Sequence, residues 1–308
     1  MRTWWRDLED LVLPAECGGC GRVRAVLCGG CSRALSGAAP SRVRPVPEPP
    51  GLPVVHAAAR YADEVRAALL AHKERGALAL TAPLGAALAG AVRAGLREAR
   101  GDAGGTATPT GSAGRGPVLL VPVPSARRAV RRRGHDPARR IALAAAARLR
   151  RDGTAARVVP VLRQRRAVAD QSGLDARQRL HNLAGALEVV PGGGRLLWAG
   201  GPVVLVDDLM TTGASLTEAA RAVRAETARA DRVETLAGRV AGAERRTGPG
   251  GHPRERSAVY PSAPGEGREE RKTGPRMAGS NGGDGVIRRV IRAAVVAASP
   301  EAFEINRN

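Results

Sequence analysis

The chain has 308 residues, 43% of them apolar but only 2% aromatic, and a formal charge of +20 from 49 basic and 29 acidic side chains. That length suits one large domain or two smaller ones, with a core built mainly from Ala, Val and Leu. No run of about 18 consecutive apolar residues occurs, which argues against a membrane span. Asp7, Glu9 and Asp10 break up the apolar residues at the N-terminus, which argues against a signal peptide and for a cytoplasmic protein.

Taken in chain order, Trp4, Trp5, Leu8, Leu11 and Val12 have helical spacing and predict a short amphipathic helix over 1–14. All four cysteines follow, and with them residues 1–45 form an N-terminal unit. Prolines 40, 45, 47, 49, 50 and 53 mark 36–53 as a semi-rigid linker, with a boundary near 45–53. The main domain then spans 46–240. Its pattern predicts a strand at 54–61, helices at 63–72 and 78–97, a Gly/Thr/Ser-rich loop at 101–116 and a buried strand at 118–123. A helix at 136–151, a strand at 157–162, a short helix at 177–183, a strand at 202–206 and a helix at 215–226 complete it. Residues 241–285 are Gly-, Pro-, Ser-, Arg- and Glu-rich without periodicity, and predict a disordered insertion. Residues 286–308 bring a last strand, at 286–298, back to the main domain. Alternating strands and helices predict an α/β fold: a parallel sheet with helices on both faces.

The basic excess is localised. Residues 125–182 hold 16 arginines against 4 aspartates, a patch suited to a polyanion such as nucleic acid or a pyrophosphorylated substrate. Lys73 and Lys272 are the only lysines. On a chain so biased to arginine, Lys73 suggests a position where a compact ammonium is wanted.

Cys17-Gly-Gly-Cys20 and Cys28-Gly-Gly-Cys31 form two C-x2-C pairs seven residues apart. Each pair brackets a tight Gly turn that aims two thiolates at one centre. Four thiolates in tetrahedral array suit a closed, structural Zn²⁺ site, which a segment with so little core would need in order to fold. Disulfides are the competing reading, and a cytoplasmic setting disfavours them.

The most specific segment is Val203-Val204-Leu205-Val206-Asp207-Asp208-Leu209-Met210-Thr211-Thr212-Gly213. The apolar run predicts a buried strand. Asp207 and Asp208 emerge at its C-terminal edge, where open α/β sheets bind ligands. Adjacent carboxylates accept hydrogen bonds from the two hydroxyls of a ribose, directly or through Mg²⁺. The loop of Thr211, Thr212, Gly213, Ala214 and Ser215 then opens a helix, where unpaired N–H groups and hydroxyls form a cradle for a 5′-phosphate. No Gly-Lys-Ser/Thr is present, so this is not a Walker loop.

That segment resembles the signature of type I phosphoribosyltransferases, which use 5-phosphoribosyl 1-pyrophosphate. The resemblance widens with the four-Cys knuckle, His72-Lys73-Glu74-Arg75-Gly76, Val121-Pro122-Val123-Pro124-Ser125 and Arg131-Arg132-Arg133-Gly134-His135-Asp136. Gln171-Ser172-Gly173-Leu174, Arg179, Asn182 and the tail Ala294-Val295-Val296-Ala297-Ala298-Ser299-Pro300 complete it. In this order the motifs look like the ComF family, the competence-associated phosphoribosyltransferase-like group.

The resemblance implies the type I phosphoribosyltransferase fold with a small zinc knuckle, Mg²⁺ with the substrate, and transfer of phosphoribose to or from a nitrogenous base. It makes Asp207 and Asp208 the candidate catalytic residues and Thr211 to Ser215 the ribose-phosphate loop. Lys73, the turn of Pro122, Val123, Pro124 and Ser125, and Arg133 with Gly134 become the pyrophosphate contacts. Gln171, Arg179 and Asn182 are expected to line the site or fix its loop, and His135 is a weaker candidate acid or base. The same resemblance offers an alternative: a non-catalytic accessory factor for uptake of single-stranded DNA, working with competence machinery through the arginine-rich stretch.

Overall fold

The computed structural model describes residues 16–102, 116–166, 176–198, 201–246 and 291–307. The expected helix over 1–14, Gln171 to Leu174, most of the 101–116 loop and residues 247–290 lie outside them. By internal contacts the chain divides into one unit of Met1–Ala230 with Arg288–Asn308 and a second of Asp231–Ile287. In the second unit the described residues are the end of one helix.

The elements of the first unit are α1 (Gly29–Ser36), β1 (Ser41–Val43), β2 (Val55–Arg60), α2 (Asp63–Glu74) and α3 (Thr81–Asp102), the last preceded by a 3₁₀ turn at Leu78–Leu80. Then come β3 (Val118–Pro122), α4 (Arg127–Arg133), α5 (Pro137–Arg151), β4 (Ala156–Val158), β5 (Leu162–Gln164), α6 (Ala176–Leu183), β6 (Leu187–Val189) and α7 (Gly193–Trp198). The series closes with β7 (Val203–Met210), α8 (Ala214–Arg246, which runs on into the second unit), β8 (Ile291–Ala298) and a 3₁₀ segment at Pro300–Arg307.

Six strands form one sheet in the order β1-β2-β8-β7-β3-β4. All neighbours are parallel except the edge strand β1, which is antiparallel to β2. β5 and β6 form a separate antiparallel pair. The architecture is therefore mixed α/β, with a mostly parallel sheet flanked by helices.

Strand alternation builds two cores from one sheet. Leu120, Val204, Val206, Ala294 and Val296 face Leu69, Leu84, Leu88, Ile141 and Leu149 of α2, α3 and α5. Leu119, Val121, Val203, Leu205, Ala293 and Val295 face the other way, onto Leu197 of α7 and Leu216, Ala219, Ala220 and Val223 of α8. Strands covered on both faces read as continuous apolar runs, and every residue of β3 and β8 is buried. β8 sits between β2 and β7, so the strand that returns after the long intervening segment completes the middle of the sheet, with ladders on both edges.

Several expectations change. β1 and its flank lie in the stretch read as a linker, because the Pro-rich composition hid a three-residue edge strand. The strand expected at 157–162 is two strands in two sheets: Pro160 has no N–H for a ladder, and the chain turns there. β6 and α7 were not anticipated. α8 reaches Arg246, six residues into the segment expected to be disordered. The stretch Leu78–Gly101, 24 residues, is apolar enough by composition to cross a membrane, yet its Ala/Leu face lies in the core.

α3 and α5 cross where Gly85 meets Ala144 and Ala145. A Cβ at Gly85 would stand 2.4 Å from the Ala144 Cβ and 2.9 Å from a backbone nitrogen, so one of the helices must move. Gly85→Ala is expected to destabilise the protein by about 1–3 kcal/mol through overpacking, despite the better helix propensity of alanine. Urea melts of the two proteins check this; an unchanged midpoint would contradict the close crossing.

Candidate functional site

β7 does not stop at the expected edge of the sheet. It runs on to Met210, so Asp207 and Asp208 lie inside its last turn of pleat. The two carboxyl groups stay close enough to interact with each other, and Asp208 is buried, at 5% exposure. The Asp207 carboxylate accepts the N–H of Asp208 at 2.8 Å. Lys73, from the end of α2, reaches across to the pair: its Nζ lies 2.9 Å from Asp208 Oδ2. Burial, and next the charge of Asp208, hold the Asp207 carboxyl well above the usual carboxylate range, with Lys73 offsetting only part of the rise. Burial works against the Lys73 ammonium, but the charges of Asp208 and Asp207 outweigh it and raise its pKa.

The loop after β7 turns at Gly213, whose φ of +75° is a conformation that side chains strain to adopt. A Cβ there would also press on Leu52 at 3.1 Å and on Pro45 at 3.4 Å. The stretch expected to be a linker is thus part of the seat of this loop. α8 starts at Ala214, and the Thr217 N–H is the one that closes onto the Gly213 carbonyl at 2.9 Å. The N–H groups before it have no intrahelical acceptor and carry the positive end of the helix dipole. Thr211 is exposed, and Thr212 and Ser215 are partly so.

β3 brings the second expected turn alongside. Pro122 pairs with Val206, one residue before the carboxylates. The backbone of that turn is already engaged, however. Val123 donates to the Val206 carbonyl at 2.9 Å, and Ser125 donates to Asp136 Oδ2 at 3.3 Å. Pro122 and Pro124 have no N–H. No backbone donor of 122–125 is left to point at an anion, contrary to the expectation. Asp136, which carried no assigned role in the sequence, organises the turn: its other oxygen accepts the Arg139 N–H as the N-cap of α5.

Arg133 also departs from expectation. It makes a two-pronged pair with Glu74, at 3.0 and 2.7 Å, with its side chain only 11% exposed. The pair ties the arginine-rich stretch, which is a helix (α4) capped by Gly134, to the end of α2. Arg127, Arg128, Arg131 and Arg132 face solvent. His135 packs edge-on against His72, with ring centroids 5.6 Å apart, and donates from Nδ1 to the Arg133 carbonyl at 3.1 Å. His72 is fully buried, bonded to Thr81 Oγ1 at 3.1 Å. Burial, aided by His135, pushes its pKa down to about 4, so this imidazole is neutral at physiological pH.

On the opposite face Glu218 was missed by sequence reasoning, since an acidic residue in a helix is unremarkable until its burial is known. At 4% exposure it accepts the Leu187 N–H at 2.9 Å and pairs with Arg221. It fixes the β5–β6 pair to α8. α6 packs through Leu180 and Leu183 on Ala214, at the loop after β7, which places Arg179 and Asn182 on the helix beside that loop.

The four cysteine ligand atoms all lie within 4.8 Å of one another, and none is in a disulfide. They are close enough to bind a metal ion such as zinc, whose four sulfurs stand roughly 3.8 Å apart at tetrahedral bond lengths. The second pair does not bracket a simple turn: Cys28 is the N-cap of α1 and Cys31 lies in its first turn. Burial and the neighbouring sulfurs push the Cys31 thiol up, whereas Cys17, despite burial, is brought down to about 6 by backbone N–H groups of Cys20, Cys28 and Gly19. So crowded a set of sulfurs resists full ionisation unless a cation offsets the charge, which fits a metal centre. No protein-family model and no curated protein sequence matches the chain.

The raised Asp207 pKa has a consequence for stability. The native state holds this proton more tightly than the unfolded chain does, so stability falls as pH rises from about 4, the unfolded value, toward the raised one. At pH 7 the carboxyl is a net cost to folding. Asp207→Asn, which keeps an oxygen for the Asp208 N–H, is expected to raise the melting temperature of the ligand-free protein by roughly 2–4 °C at pH 7. The gain should vanish near pH 4. A lower melting temperature at pH 7 would contradict the burial cost.

Proposed function

We propose that the chain is a ComF-like phosphoribosyltransferase that binds 5-phosphoribosyl 1-pyrophosphate with Mg²⁺ and exchanges pyrophosphate for a nitrogenous base. One observation carries the reading. Two adjacent carboxylates, one of them forced to an elevated pKa, stand near the end of a central parallel strand that leads through a short loop into the start of a long helix. Capping or packing alone has no use for that costly pair.

In this reading the diol of the ribose bonds to Asp207 and Asp208, and the 5′-phosphate lies on the N–H groups and hydroxyls of Thr211 to Ser215. The two contacts fix both ends of the sugar and leave C1 open above the neighbouring ends of β7 and β3. The bond from C1 to the pyrophosphate oxygen breaks, positive charge develops on the ring, and a base nitrogen forms the new bond at C1. Bound Mg²⁺ supplies neutralisation of the departing diphosphate. The chain's part is positioning and electrostatics: carboxylates beside the developing cation, Lys73 and the Ser125 hydroxyl near the anion, and arginines of α4 at the rim. No side chain has to act as a nucleophile. In the knuckle, Cys17, Cys20, Cys28 and Cys31 would hold Zn²⁺ in a closed tetrathiolate with no position for water, so its contribution is structural.

A second reading has its own support. Arg127, Arg128, Arg131 and Arg132 on α4 and Arg139 and Arg140 on α5 are exposed and close in sequence, a surface suited to the backbone of single-stranded DNA. Scarcity of aromatic residues removes the usual base-stacking platform. Binding of this kind collapses with salt, whereas ribose-phosphate binding requires the aspartates.

Calorimetric titration with 5-phosphoribosyl 1-pyrophosphate and Mg²⁺ tests the main reading. Wild type should bind, and Asp207→Asn with Asp208→Asn should lose at least about 100-fold in affinity, the scale of several charge-assisted hydrogen bonds. Equal affinity in the two proteins would remove the site assignment. A screen of nitrogenous bases for pyrophosphate release then identifies the acceptor.

A further inference from the structure

We infer that Lys73 makes the site selective for a ribose 5-phosphate that carries a second anion at C1, because it competes with the ribose diol for Asp208 until that anion draws it away. The inference rests on the proposed ribose-phosphate reading and concerns how the site distinguishes substrate from its dephosphorylated relative.

The Lys73 ammonium lies 2.9 Å from Asp208 Oδ2, on the carboxylate that would bond to the diol. Asp208 is buried, and a buried carboxylate stripped of its cation is strongly disfavoured. A ligand with a diol and a 5′-phosphate but nothing at C1 must displace this ion pair and gives the ammonium no new partner. A ligand with a C1 diphosphate offers one. The ammonium then transfers from the carboxylate to the diphosphate, and Asp208 is released to the sugar while the cation stays paired.

The backbone favours a swing of the side chain over a shift of the helix. α2 is anchored in the core through Val65, Ala68 and Leu69. At the next residue, Glu74 is clasped by both prongs of Arg133. The Lys73 Cα is thereby held, while its side chain, one third exposed, can move on its flexible stem. Arginine would retain the charge pair; methionine would remove the competitor and the diphosphate contact together.

The same exchange works in reverse. When the C1 diphosphate departs, the ammonium has lost its second partner and returns to Asp208. It then weakens the hold on the diol of the product nucleotide and favours release.

The test is a calorimetric comparison at pH 8 with excess Mg²⁺, using 5-phosphoribosyl 1-pyrophosphate and ribose 5-phosphate as probes on wild type, Lys73→Met and Lys73→Arg. Lys73→Met should bind ribose 5-phosphate about three- to tenfold more tightly than wild type, and the pyrophosphorylated sugar about tenfold more weakly, the range for a partly buried ion pair. Lys73→Arg should keep the wild-type preference, which a purely structural role for the methylene stem would not explain. Equal losses for both probes in Lys73→Met, or no change in either, would overturn the inference. If wild type binds neither probe, the ribose-phosphate reading itself fails, an outcome distinct from both.

Discussion

Two carboxylates side by side at the end of a buried strand are the constraint around which the rest of this structure is arranged. Adjacent like charges shielded from water oppose folding, and Asp207 shows it in a pKa held above its ordinary range. The fold answers with a single compact cation, Lys73, delivered by α2 from the neighbouring layer. That delivery depends in turn on the packing of α2 on the sheet and on the clasp of Glu74 by Arg133. The acidic pair, the lysine and the arginine-rich helix thus form one chain of charge, with each member placed by an element whose own position is set by apolar packing.

The same logic explains why the site is at this edge of the sheet. β7 is central and apolar until Val206, carries the two carboxylates at Asp207 and Asp208, and ends on Leu209 and Met210, which pack back onto the two cores. β3 ends one residue earlier and supplies a turn whose geometry is fixed by Asp136. On the other side, Pro45 and Leu52 hold Gly213 in place, and α6 leans on Ala214. Segments far apart in sequence converge on a few residues of loop, so the loop is positioned by the whole domain and not by its local sequence.

Much of this was legible in the chain. Periodicity placed β2, β3, α2, α5, α8 and the central strand β7, because long apolar runs and amphipathic helices have few alternative uses. The cysteine spacing foretold the cluster, and the paired aspartates stood out by their cost. What was not legible depended on distant partners. Nothing local marks Ser41–Val43 as a strand; it is one because β2 offers an unpaired edge. Glu218 and Asp136 look like ordinary surface acids until a backbone N–H from another element is found opposite each. Arg133 was expected to meet an anion and does, but the anion is Glu74. The Pro122–Ser125 turn was expected to contact pyrophosphate, and tertiary hydrogen bonds claim the N–H groups of Val123 and Ser125.

Because the acidic pair and the loop of Thr211 to Ser215 are adjacent in sequence, the proposed binding of a ribose phosphate can be read from the backbone itself. Amide hydrogen exchange on the full chain, with and without 5-phosphoribosyl 1-pyrophosphate and Mg²⁺, is the most direct measurement. The account predicts protection concentrated at Thr211 to Ser215 and the end of β7, with the cysteine knuckle unchanged. Protection confined to the arginine-rich helix α4 and to α5, with the loop exchanging as before, would contradict it.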